Sequence, residues 1–161
     1  MLPAQKNSRL WLPLLNGGSV VIFGGLSLLF SIFVGIELTG IFVSIALIIS
    51  GFLELKGRKE VIAGAVEIGF KRMQRAQVIL FFAICYYCAI QMIVIDAARV
   101  EALMPAMLTD TIRANTNLSL NDTIAMIVSG IRIFYLSVVL SSLFYQGGLY
   151  LYYGRHKTNP N

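Results

Sequence analysis

From residue 12 to residue 55 the chain is apolar, and Glu37 is the only charge inside that run before Glu54 near its end. A helix needs about 20 apolar residues to cross roughly 30 Å of hydrocarbon. The run is too long for one crossing and suits two. The stretch VGIELTG (residues 34–40) supplies the turn, with Gly35 and Gly40 as breakers. This predicts two antiparallel spans, residues 14–33 and 39–55. The opening MLPAQKNSRLWLP is basic and then apolar, as in a signal peptide. The apolar run behind it is too long for an h-region and lacks a small-residue cleavage site, so it is read as the first span.

Two further apolar segments follow. One gives a third span at residues 76–95. The other, residues 123–153, is longer than a crossing requires and contains Arg132. Its far end, LYLYYGRHK, carries the tyrosines and basic residues of an interfacial belt. Counting about 20 residues back from Tyr152 puts the fourth span at residues 133–153, with Arg132 at the opposite water boundary. Composition agrees: charged residues make up 13% of the chain, against roughly 25% in soluble domains. The expectation is a single all-α domain over residues 1–161, an integral membrane four-helix bundle of two antiparallel hairpins.

Residues 56–75 are charged and basic. Within them Ile62, Val66, Phe70 and Met73 fall in one arc at 100° per residue, opposite Glu60, Glu67, Lys71 and Arg75. This predicts a short amphipathic helix lying on the membrane surface. The outer loop, residues 97–122, is polar, with a short helix expected after Pro105, Asp122 as N-cap of the last helix, and Asn-x-Ser/Thr sites at Asn117 and Asn121.

Six basic residues (Lys56, Arg58, Lys59, Lys71, Arg72, Arg75) lie between spans 2 and 3, with Lys6, Arg9, Arg155 and Lys157 at the two ends. Only Arg99, Arg113 and Arg132 lie between spans 3 and 4. The positive-inside tendency then places both termini in the cytoplasm, in the cell membrane. A net charge of +5 arranged around apolar runs points to anionic lipid head groups at the 56–75 linker rather than to nucleic acid.

Because lipid tails are as apolar as leucine, spans meet through small residues. Gly17, Gly24, Ser31 and Gly35 mark such a stripe on span 1, and Gly40, Ser44 and Gly51 on span 2. Gly130, Ser137, Ser141 and Gly148 mark one on span 4. Span 3 repeats the spacing with Cys85, Ala89 and Asp96, so Cys85 reads as a small packing residue. Both Cys85 and Cys88 fall about 15–20 Å along the helix from Arg75, near mid-membrane, where desolvation opposes thiolate formation.

AICYYCAIQM, set among four spans, resembles the membrane disulfide-forming enzymes of the vitamin K epoxide reductase type. That resemblance implies a dithiol at Cys85 and Cys88. Those families hold the active pair near a membrane face and exchange it with a second cysteine pair. Here the pair is deep, and the chain has two cysteines in all.

Asp96 and Arg132 are expected at the same outer depth, as an ion pair fixing the register of spans 3 and 4. The local alternative pairs Asp96 with Arg99. Gln91 lies off the span 3 stripe, which implies a contact with a second subunit or another membrane protein. Glu37 sits in the outer turn, and Glu54 with Arg58 reads as an i, i+4 pair at the inner boundary. His156 is the only histidine. No cofactor or metal ligand set and no nucleophile–base arrangement is expected. The reading is a small non-enzymatic membrane protein, an accessory, scaffold or membrane-modulating subunit. The alternatives are an oligomeric small-solute transporter or channel, and a thiol–disulfide oxidoreductase using Cys85 and Cys88.

Overall fold

The computed structural model describes residues 10–34, 38–104 and 119–158. Five helices follow in chain order: α1 (Trp11–Val34), α2 (Leu38–Ile62), α3 (Val66–Val94), α4 (Ala97–Leu103) and α5 (Leu120–Thr158). No strand occurs among the described residues. Four stretches, Trp11–Phe33, Leu38–Ile62, Val66–Val94 and Leu120–His156, are long and apolar enough to cross a membrane. Only 11–22% of their apolar windows is buried within the protein. Phe33, Ile93 and Phe144 stand almost bare. Water does not tolerate apolar faces on that scale, and hydrocarbon does. The chain is a multi-pass membrane protein.

The backbone forms two compact units. The first comprises Met1–Tyr87 with Ser141–Asn161. Here α1 and α2 run antiparallel at close range. A Cβ at Gly17 would lie 3.0 Å from the Gly51 carbonyl oxygen, and one at Gly24 would lie 2.9 Å from Leu47 and Ile48. Ser27 and Ser44 hydrogen-bond between their hydroxyls at 2.8 Å. The small-residue seam expected between spans 1 and 2 is therefore present. Gly35 lies outside the described residues.

α2 has a second seam, with α3. Val43, Ser50 and Gly57 recur every seven residues, and all are buried. They face a matching row on α3 of Gly69, Met73, Ala76, Leu80 and Ala83, also buried and spaced four, three, four and three. This is the spacing of a left-handed helix pair. At its tightest point a Cβ on Gly57 would meet the Gly69 carbonyl oxygen at 2.6 Å. Further along, the Ser50 hydroxyl donates to the Ala76 carbonyl (2.8 Å), and Phe42 packs edge-on against Tyr86.

This second seam corrects two expectations. No separate surface helix occupies residues 56–75: α2 continues to Ile62 and α3 begins at Val66. A tight turn joins them. Gly64 takes φ +93°, its N–H donates to Val61 O, and the Ala65 N–H donates to Glu60 O. That pair of bonds closes the end of α2 around a left-handed glycine. Phe70 and Met73 bury their apolar face with Leu10, Val61, Leu149 and Tyr153 rather than in lipid. The span 3 stripe is also different from the one expected. Cys85 is half-buried and Ala89 exposed; the packed stripe is Gly69, Ala76 and Ala83.

On α5, Ser137 and Ser141 are exposed, and a Cβ on Gly130 or Gly148 would meet open space. The expected span 4 stripe packs against nothing among the described residues.

The second unit is Cys88–Leu140, where Val100, Ile124 and Val128 form a small core with Ile95 and Ile127 against it. α4 precedes Pro105. Asp96 caps its start by accepting from the Arg99 N–H at 2.8 Å. Met104 leaves the helix in extended conformation, as a residue before proline prefers. The expected helix after Pro105 lies outside the described residues. α5 starts earlier than expected: Ser119 is its cap, accepting from the Asp122 N–H (3.2 Å) and donating to the Asp122 carboxylate (2.6 Å). Asp122 is thus the third residue of the helix rather than its cap.

Candidate functional site

Glu54 occupies the position where the two seams of α2 meet. At 100° per residue it falls between Ser44 and Gly51, which face α1, and Ser50 and Gly57, which face α3. The carboxyl group is therefore turned inward, and the residue is only 1% exposed. Two spans supply donors to it. Asn16 of α1 donates through Nδ2 to Glu54 Oε2 at 2.6 Å. Tyr153 of α5 donates its hydroxyl to Glu54 Oε1. Tyr145, two turns earlier on α5, donates to Asn16 Oδ1 at 3.1 Å and so extends the chain of bonds. Gln77 of α3 lies close enough to act on the same carboxyl. Its amide, however, is buried without a well-aligned hydrogen bond on either Nε2 or Oε1.

The cluster thus joins α1, α2, α3 and α5 through neutral groups around one acid. Among the described residues no cationic side chain takes part. Arg58, expected to pair with Glu54, donates through Nε to the Leu10 carbonyl at 2.9 Å instead. The rest of the charge in this region is local: Arg72 pairs with Glu60 across the α2–α3 turn, and Lys71 pairs with Glu67 in an exposed i, i+4 contact. Chemically, the cluster can bind helices together and hold a proton. It offers no nucleophile with an adjacent base.

The residues singled out from sequence are placed as follows. Arg132 and Asp96 come within one residue of meeting, but they do not pair. The guanidinium donates to the Ile95 carbonyl (3.2 Å), while the Asp96 carboxylate is spent on the α4 cap. The local alternative is met through the Arg99 backbone N–H. Gln91 is half-buried. Cys88 is buried, Cys85 is half-buried, and neither forms a disulfide. His156 donates to the Tyr152 carbonyl (2.8 Å) with its ring against Tyr152 and Phe70. Among the described residues no three His, Cys, Asp or Glu side chains converge as a metal site. Glu37 and Asn117 lie outside the described residues.

Sequence reasoning missed Asn16, Gln77, Tyr145 and Tyr153, and it misassigned Glu54. A signal was available: an acid inside an apolar helix, with small residues at both flanking angles, is directed toward protein and away from lipid. Comparisons with family models, with curated proteins and with solved structures returned no match.

Proposed function

We propose that this protein is a non-enzymatic membrane subunit, an accessory or scaffold whose spans are locked in one arrangement by the Glu54 cluster. The observation that carries this is a pair of hydrogen bonds in which neutral donors from two other spans occupy both carboxyl oxygens of Glu54. Hydrogen bonds that join spans in a low-dielectric interior favour the one packing that makes them. Rigidity of that kind suits a part that presents a fixed surface to another membrane protein. In this reading both termini and the α2–α3 turn face the cytoplasm, where the basic residues meet anionic head groups. Gln91 serves contacts with a second copy or a partner. Purification in mild detergent tests the proposal. A co-purifying membrane protein that is lost with Glu54→Leu supports it; a monodisperse protein with no companion and no dependence on Glu54 contradicts it.

One observation favours a second reading, transport. Glu54 is an acid inside an apolar span with no cationic partner among the described residues, and such groups commonly mark proton or ion pathways. Proteoliposomes carrying a pH gradient separate the two readings. Proton flux that Glu54→Gln abolishes supports transport, and flux equal to that of empty vesicles leaves the scaffold reading.

A further inference from the structure

Gln77 is the member of the Glu54 cluster whose polar atoms the hydrogen bonds leave unaccounted for. It is 1% exposed, and its amide lies close enough to the Glu54 carboxyl to act on it. Yet neither Nε2 nor Oε1 has a hydrogen-bond partner. A buried amide in that state costs free energy until something meets it.

Glu54 poses the complementary problem. Its carboxyl is buried, and its two oxygens accept from neutral donors, Asn16 Nδ2 and the Tyr153 hydroxyl. Those bonds solvate a negative charge but do not cancel it. Among the described residues no Lys, Arg or His pairs with the carboxyl. In a low-dielectric interior an ionised carboxylate persists only beside a compensating positive charge.

Three occupants are chemically available: a proton, a water molecule and a cation. A proton on Glu54 removes the charge and leaves Gln77 Oε1 without a partner. Water partners the amide and leaves the charge. A small cation meets both demands, because carboxylate and carbonyl oxygens are the ligands that hard cations take. One carboxylate balances one positive charge, so the ion is monovalent; a divalent ion would leave net charge buried. The site also has a way in. Glu54 precedes Lys56 and Arg58 by two and four residues, about 3–6 Å along α2. An ion reaches it from the aqueous boundary without crossing the hydrocarbon.

We propose that Glu54 and Gln77 form a binding site for one monovalent alkali cation, held between the carboxylate and the Gln77 carbonyl oxygen. Asn16 and Tyr153 orient the carboxylate, and the ion supplies the link between α2 and α3 that the Gln77 amide does not make by itself. The site rests on neither role proposed above for the cluster, and its test needs neither a partner nor flux.

Thermal unfolding of the purified protein in detergent is the test, in sodium chloride against N-methylglucamine chloride at equal ionic strength, so that screening is the same in both. The wild type should melt higher in sodium, by about 3–5 °C for each tenfold rise above the dissociation constant. Gln77→Leu and Glu54→Gln should each abolish that rise. In N-methylglucamine chloride Gln77→Leu should melt no lower than the wild type, because an apolar side chain of similar size replaces an unpartnered amide. Its lost response is then not a lost fold. Equal wild-type midpoints in the two salts overturn the proposal and leave Glu54 with a proton. A sodium response that Gln77→Leu retains overturns it as well.

Discussion

Glu54 shows how a single acid can be ordinary in the sequence and central in the fold. Beside Leu55, Lys56 and Arg58 it reads as an interfacial charge, yet it is buried and bonded to Asn16 and Tyr153. Replacing it with leucine leaves two buried donors without acceptors, each costing about 1–3 kcal/mol. Tyr153→Phe leaves one acceptor, Glu54 Oε1, without its donor, and cross-helix bonds in membranes average about 0.6 kcal/mol. Glu54→Leu should therefore lower the thermal midpoint in detergent more than Tyr153→Phe does; equal midpoints would remove the cluster's structural role. A second prediction concerns Asp96 and Arg132. Because each is satisfied by backbone rather than by the other, charge reversal at Asp96 should not be rescued by reversal at Arg132. Rescue in a double-mutant cycle would restore the ion pair that the geometry lacks.

At the scale of helices, glycine position rather than glycine count decides what a substitution does. A Cβ on Gly51 would lie 2.6 Å from Val21 Cγ2 and 2.7 Å from the Gly17 carbonyl oxygen, while one on Gly148 meets nothing. Gly51→Ala should destabilise by about 1–3 kcal/mol, the usual cost of overpacking. Gly148→Ala should stabilise by about 0.5–1 kcal/mol, because alanine loses less conformational freedom in a helix. Melting curves in one detergent rank the two, and the reverse order would refute the α1–α2 seam.

The seams also show what sequence could and could not convey. The four apolar stretches and the α1–α2 contact through Gly17, Gly24, Ser44 and Gly51 were legible from length and spacing. The α2–α3 seam was not, although Gly69, Ala76 and Ala83 recur every seven residues. Charge had assigned residues 56–75 to the membrane surface, so Gly57 and Gly69 were not counted as a pair. The same division hid Glu54, whose direction depends on knowing that α2 has a partner on each side. The stripe on α5 misled in the opposite way: Gly130 and Gly148 keep the right interval but have no neighbour among the described residues. Spacing reports that a face can be approached closely, not that anything approaches it.

For the whole molecule, four helices are long and apolar enough to cross a membrane, and everything proposed for the Glu54 cluster assumes hydrocarbon around them. The exposed Phe30, Phe33 and Phe144 make sense in that solvent alone. The most direct measurement is sidedness. In a Cys85→Ala, Cys88→Ala background, Lys71→Cys and Asn121→Cys place single thiols on exposed residues separated by one crossing, α3. A membrane-impermeant maleimide applied to intact cells should label the thiol at position 121, and should label that at position 71 only after permeabilisation. Labelling of both from the same side would contradict the four-span arrangement.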